Sequence, residues 1–266
     1  MHLGHLASAL AVWDTARAQG GRVLLRIEDI DATRCRPAHT ADFIDNLTWL
    51  GLLPDGPVRV QSEHLSDYAR ALDTLSARGL LYRCFLTRSQ IEADIARAPH
   101  GLPVYLGPST PLSPAEESER LANGEPFSLR LSLARARDAL GPLWHDLCWQ
   151  EDGRTIPARP ETLGDVILSR KDAPVAYHLA CTHDDALQGV THIIRGADLY
   201  ESTHIHVLLQ ALMGWPTPAY RHHPLKTGPD GRRLAKRDGA TALTTLRAQG
   251  WTASALREAA HLPRNL

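Results

Sequence analysis

Apolar positions along the chain fall into short clusters separated by glycine or proline, and their spacing predicts helices alternating with strands. Residues 6–19 form an Ala-rich stretch of helical spacing that stops at Gly20-Gly21, a C-cap pair. The run Arg-Val-Leu-Leu-Arg-Ile over 22–27 has strand length. Helix, glycine stop and strand make half of a βαβ unit whose first strand is missing. A second helix is expected over 38–51, with Phe43, Leu47 and Leu50 on one face. A third is expected from Ser66, read as its N-cap, to Arg78 before Gly79. Further strands are expected at 165–168 and 191–194, and a helix over 203–213 closed by Gly214.

Between 86 and 153 the texture changes. Pro99, Pro103, Pro108, Pro111, Pro114 and Pro126 interrupt it, and Gly101, Gly107 and Gly124 add turns. This reads as a subdomain set into the main fold. The expected organisation is a first half of the main domain at 1–85, an insert at 86–160, a second half at 161–240 and a short helical piece at 241–266. No internal repeat or low-complexity tract is visible.

Composition narrows the class. A chain of 266 residues makes one large or two modest domains. Its 43% hydrophobic and 22% charged shares are those of a globular protein and exclude disordered, collagen-like and disulfide-scaffold classes. No run approaches a membrane span, and the start has no basic segment followed by an apolar one, so a cytoplasmic protein is expected. The net charge of −1 argues against a surface that is basic throughout, while leaving room for a local basic patch. Only Lys171, Lys226 and Lys236 are lysines, a skew that genome base composition explains. Cys35, Cys84, Cys148 and Cys181 show no paired metal-site spacing and are read as free thiols. Neither His183-Asp184-Asp185 nor His222-His223 makes a full ligand set, so no metal is assigned there.

Four segments carry candidate chemistry, each beside a plainer reading. His2-Leu3-Gly4-His5 opens the first helix, where exposed amides and the positive dipole end suit an anion, and Gly4 lets a flat ring or phosphate come close. The plainer reading is two exposed histidines. The loop 228–240 carries Arg232, Arg233, Lys236 and Arg237 between glycines, cations suited to a polyphosphate leaving group or simply to solvent. Glu28, Asp29 and Asp31 follow a strand end, where ligands bind in doubly wound folds, and fit a divalent metal, an ammonium group or an ordinary acidic loop. Tyr177 and Arg195 could reach a common pocket from neighbouring elements, or be a structural tyrosine and a surface arginine.

Together these segments resemble the class I aminoacyl-tRNA synthetases: a His-x-Gly-His helix start early, and Arg233-Leu234-Ala235-Lys236-Arg237 late. Leu-Arg-Ile-Glu-Asp-Ile-Asp at 25–31 with Arg34, and Asp-Asp-Ala-Leu-Gln-Gly-Val-Thr-His-Ile-Ile-Arg-Gly at 184–196, resemble the glutamyl branch. Within it, Arg195-Gly-Ala-Asp-Leu199 and an end about 30 residues after Arg237 resemble the glutamyl-queuosine tRNA(Asp) synthetases, short paralogues that lack an anticodon-binding domain.

The resemblance implies an α/β fold: a Rossmann-type parallel sheet with helices on both faces, split by the insert. It implies ATP-dependent activation of L-glutamate to glutamyl-adenylate, with Mg2+, and transfer to queuosine at the wobble position of tRNA(Asp). The expected state is a monomer with no membrane partner. By resemblance His2, His5 and Lys236 are catalytic, and Gly4, Arg233, Leu234, Ala235 and Arg237 join them around ATP. Glu28 takes the α-ammonium of glutamate, and Tyr177 and Arg195 complete the pocket. Arg233 stands where the family has a lysine, which keeps the charge and changes its geometry.

Relatives also carry a strand and turn of the type Arg-Phe-Ala-Pro-Ser-Pro-Thr-Gly before His-x-Gly-His, so Met1 is expected to be an internal methionine. They hold zinc with Cys-x-Cys and Tyr-x₃-Cys. Leu86 and Ser109 occupy two of those four places here, so the zinc site is expected to be lost. Two alternatives stand beside this reading: a truncated glutamyl-tRNA synthetase charging the tRNA 3′ end, and a non-catalytic tRNA-binding relic.

Overall fold

The structure, a computed structural model, describes residues 1–31, 33, 35–97, 103–108, 111–227 and 241–261. The chain begins with α1 (Leu3–Ala18), β1 (Arg26–Ile27), α2 (Pro37–Trp49), β2 (Arg59–Val60), α3 (Leu65–Ala77) and β3 (Leu81–Cys84). Then come α4 (Arg88–Arg97), α5 (Pro114–Ala122), β4 (Ser128–Leu131), α6 (Leu133–Leu140), β5 (Cys148–Glu151), β6 (Arg154–Pro157) and β7 (Ile167–Ser169). It closes with α7 (Tyr177–Leu187), β8 (His192–Gly196), α8 (Ser202–Met213), β9 (Ala219–His223), α9 (Leu243–Ala248) and α10 (Ala253–Ala260). This is an α/β chain. It divides into two units, one of Met1–Gln61, His192–Tyr200 and Tyr220–Leu266, the other of Ser62–Thr191 and Glu201–Ala219.

In the first unit, β1 and β2 pair in parallel, with Arg26 opposite Arg59 and Ile27 opposite Val60. A parallel pair needs a crossover, and α2 supplies it, so the βα pattern of the sequence continues into a βαβ unit. Helix α1 ends because Gly20 takes a φ of +64°, a left-handed conformation that costs glycine nothing. Proline at the first position of α2 gives up an amide that would be unpaired there anyway.

The core of this unit joins Leu6 and Leu10 of α1 to Leu47 of α2, Leu243 of α9 and Leu256 of α10. Around it, Arg17 grips Asp55 through two bonds of 2.7 and 3.0 Å, and the amide of Val23 donates to the same carboxylate. The Arg17 guanidinium, and after it that amide, hold the Asp55 carboxyl below the usual carboxylate range.

The second unit holds an antiparallel sheet of order β3-β4-β7, with Leu81 opposite Leu131 and Leu129 opposite Ser169. Strands β5 and β6 form a hairpin whose two-residue turn is Asp152-Gly153, at φ +47° and +77°. An Asp-Gly turn with two positive φ angles matches the strand twist, which makes it a favoured hairpin closure. Helices α3 and α8 pack on α7. The buried carboxylate of Asp184 on α7 accepts from the Tyr68 hydroxyl of α3 at 2.8 Å, which offsets its desolvation.

No helix among the described residues is long and apolar enough to cross a membrane. The helix expected with Ser66 as its N-cap is instead capped two residues earlier, by His64, and runs from Leu65 after a 3₁₀ turn over Gln61–His64.

Leu10 is 3% exposed in the first core, so Leu10→Ala should lower the unfolding free energy by about 2–5 kcal/mol. Urea unfolding followed by circular dichroism measures this. An unchanged midpoint would show that α1 does not anchor the core.

Candidate active site

The start of α1 is built by its own histidines. His2 is the N-cap: its Nδ1 accepts from the Gly4 amide at 3.1 Å, and the His5 Nδ1 accepts from the His2 amide at 3.3 Å. This reciprocal box satisfies two of the amides that a helix start leaves without carbonyl partners. The rings stack at 3.7 Å between centroids, and Phe43 meets His5 edge-on at 5.7 Å. With Nδ1 accepting, each neutral ring carries its proton on Nε2, on the side turned away from the bond it accepts.

Ala242 forms a β-bridge with His2, and the Leu243 amide donates to the Met1 carbonyl at 3.0 Å. The chain just past the late motif is therefore fastened to the start of α1. Arg233, Leu234, Ala235, Lys236 and Arg237, with Arg232, lie outside the described residues, as does Arg34.

Glu28 follows β1 and accepts from Arg26 Nη2 at 2.9 Å and from Nε at 3.2 Å. Asp31 serves the loop itself: its Oδ1 accepts from the Thr33 hydroxyl at 2.6 Å and amide at 3.2 Å, an Asx turn. Burial, together with Asp29 and Asp31, pushes the Cys35 thiol up, so it stays protonated at neutral pH.

Arg195 lies on β8 and is 9% exposed. Its Nε donates to His222 Nε2 at 3.3 Å, and its guanidinium lies over the Tyr220 ring at 5.2 Å. Both partners come from β9, the neighbour of β8 in the sheet. In the same unit Gly196 follows Arg195, and a Cβ there would come within 2.5 Å of Asp198 Oδ1 and 2.8 Å of Leu225 Cδ2, so a side chain at this position would displace both.

Tyr177 belongs to the second unit and opens α7. Its ring lies 5.6 Å from those of His178 and His206, whose Nδ1 and Nε2 approach to 3.2 Å. Arg26, Tyr220 and His206 carried no candidate role in the sequence, and His222 was weighed only as a metal ligand, not as a partner of Arg195. The alternation of Tyr220 and His222 in a strand was the available signal, since it puts both on one face.

The zinc that the resemblance implies can be tested on its donor set. Cys84 Sγ and the Tyr105 hydroxyl do meet, at 3.9 Å, beside a cavity of about 520 Å³ lined also by Leu86, Tyr82 and Asp165. Leu86 offers no donor, and Ser109 lies outside the described residues. Burial pushes the Tyr105 hydroxyl up, away from the phenolate that a metal favours. Two donors do not close a tetrahedral site, so this set does not fit zinc.

The Tyr105 segment has other ties. Its carbonyl accepts from the Asp165 amide at 2.6 Å, and the Arg130 guanidinium lies over its ring at 4.8 Å. Asp165 in turn accepts from Tyr82 at 2.9 Å and from the Leu133 amide at 2.9 Å, and burial raises its carboxyl.

Comparison with known proteins sets this geometry in context. The model of the family "tRNA synthetases class I (E and Q), catalytic domain" matches residues 1–262. The chain belongs to this family. It is similar to the glutamyl-Q tRNA(Asp) synthetase of Rhodobacter capsulatus, at 42% identity over 97% of this chain and 94% of the relative. A glutamyl-Q tRNA(Asp) synthetase of Symbiobacterium thermophilum is 43% identical over 94% of this chain and 78% of the relative. Among solved structures, a glutamate tRNA ligase from Elizabethkingia meningosepticum in complex with its amino acid is 30% identical, with a TM-score of 0.71. That match covers 90% of this chain, which spans 50% of the ligase. The expected α/β fold is thus that of a class I synthetase catalytic domain.

Elemental analysis of the purified protein should find zinc well below one per chain, and a chelator should leave the melting temperature unchanged. Stoichiometric zinc would show that donors beyond Cys84 and Tyr105 complete a site.

Proposed function

We propose that this chain is a glutamyl-queuosine tRNA(Asp) synthetase: it activates L-glutamate with ATP and passes it to queuosine at the wobble position of tRNA(Asp), in the cytoplasm. The observation that carries the reading is the bridge from His2 to Ala242, which joins a residue a few positions after the cationic motif to the capped start of α1. Two separated motifs acting on one triphosphate need such a junction. The family match and the relatives' names support the substrate classes.

Activation joins a glutamate carboxylate oxygen to the α-phosphorus of ATP and releases pyrophosphate. Positioning and charge stabilisation supply most of the acceleration. In this reading the His2 and His5 Nε2–H groups and the α1 amides hold the phosphates, and Gly4 lets the nucleotide approach. Arg233 and Lys236, in the motif with Leu234, Ala235 and Arg237, stabilise the departing pyrophosphate. Mg2+ enters with ATP. Glu28, itself held by Arg26, takes the α-ammonium, while Tyr177 and Arg195 complete the glutamate pocket. A guanidinium that grips a carboxylate through two bonds loses both charge and geometry when glutamine is offered, which favours glutamate.

Glutamate-dependent ATP–pyrophosphate exchange without tRNA tests the first step. Lys236→Ala should slow that exchange by about 10²-fold while leaving the glutamate KM near its starting value. Labelled glutamate should then reach queuosine-containing tRNA(Asp) and stay with the anticodon fragment after nuclease cleavage. Label on the 3′-terminal adenosine would identify a charging enzyme instead. Absence of exchange in a folded wild-type chain would refute the activity.

A further inference from the structure

We infer that His222 is a positioning residue for Arg195, fixing which edge of the guanidinium faces the glutamate carboxylate. The inference rests on the glutamate reading above and adds to it a residue outside the motifs that led there.

Three observations converge. Arg195 Nε donates to His222 Nε2 at 3.3 Å across neighbouring strands. The same guanidinium lies over Tyr220, whose ring is parallel to that of His222 within 6°, at 6.0 Å between centroids. Tyr200 meets the other partner, His222, edge-on at 5.0 Å. The imidazole is thus held between two tyrosines, and its ring nitrogen meets the one N–H that lies at the root of the arginine fork.

A guanidinium can bind a carboxylate along two edges. One uses Nε with an Nη, the other uses Nη1 with Nη2. The bond to His222 engages the Nε proton and closes the first edge. It also stops the planar group from turning about its last carbon–nitrogen bond, while the Tyr220 face restricts its tilt. A carboxylate is then taken by the Nη1/Nη2 edge in one orientation. To accept at Nε2, His222 carries its proton on Nδ1. Without this bond Arg195 keeps its charge and loses its aim, and misplacement of a binding group acts on the substrate it holds.

The test uses the whole chain in glutamate-dependent ATP–pyrophosphate exchange, with KM measured separately for glutamate and ATP. His222→Ala should raise the glutamate KM by about tenfold, the loss of one hydrogen bond to a charged group, with the ATP KM within about twofold. His222→Gln should restore most of the affinity, because its amide oxygen reaches the place of Nε2. His222→Asn should not, because its side chain is one carbon shorter. In an Arg195→Met background, His222→Ala should leave the glutamate KM unchanged, since the two act as one unit.

The Gln and Asn variants decide the question even where the alanine variant fails to fold. An unmoved glutamate KM in His222→Ala, Gln behaving as Asn does, or additive effects in the double variant would each overturn the inference and leave the proposed activity standing. A wild-type chain without exchange would overturn both.

Discussion

Every helix begins with amides that no carbonyl of its own can satisfy, and how α1 meets that demand orders much of the first unit. The usual caps are serine, threonine, aspartate or asparagine. Here two histidines share the work, each ring accepting one amide, and this forces them to stack. The cap leaves the His2 backbone extended, which lets Ala242 pair with it. One turn further on, Leu6 and Leu10 enter a core shared with α9 and α10. The same helix also touches β8, the strand of Arg195. Cap, bridge, core and strand are therefore mechanically joined, and a shift of α1 along its axis would disturb all four.

The parts of this arrangement that local chemistry dictates were legible in the sequence. The stop of α1 at Gly20 and the closure of α8 at Gly214 follow from backbone preferences that one or two residues carry, whereas of the strand expected over 22–27 only Arg26–Ile27 pairs, because β2 offers just two partners. The apolar stretch was bounded at residue 6, three residues into α1, while His2-Leu3-Gly4-His5 was already placed at that helix's start. The expected N-cap at Ser66 failed because a 3₁₀ turn brings the cap in two residues earlier, at His64. Helix α7 escaped notice for a different reason. Its buried face carries Thr182, Asp184 and Asp185, so its polarity pattern contradicts its burial until Tyr68 supplies a partner.

Pairings distant in sequence were out of reach for the same physical reason. Strand β3 meets β4 across more than forty residues, and nothing in either four-residue run encodes the other. His222-His223 was assigned no metal for want of a full ligand set, and the structure spends the two separately. His222 faces Arg195, while His223 Nε2 lies 3.0 Å from the Ser8 hydroxyl on α1. A pair of adjacent strand residues points to opposite faces, so two neighbouring histidines in a strand are poor candidates for one metal. Glu28 accepts from Arg26, a partner two residues away that sits inside an apolar run and carries no signal of the pairing.

The order in which the units can be completed follows from where their segments lie. The second unit draws most of its residues from one continuous stretch, 62–191, and its β5–β6 hairpin closes through two residues. The first unit is gathered from three segments, and its core needs Leu243 and Leu256 beside Leu6 and Leu47. Closing so long a loop costs entropy before any contact repays it, so such pairings form late. His2, Glu28 and Arg195 all belong to this late unit. Their mutual arrangement therefore depends on the last helices having docked, and damage to α10, which packs on α1 and carries none of the site residues, would loosen α1 and with it the cap on which the site is built.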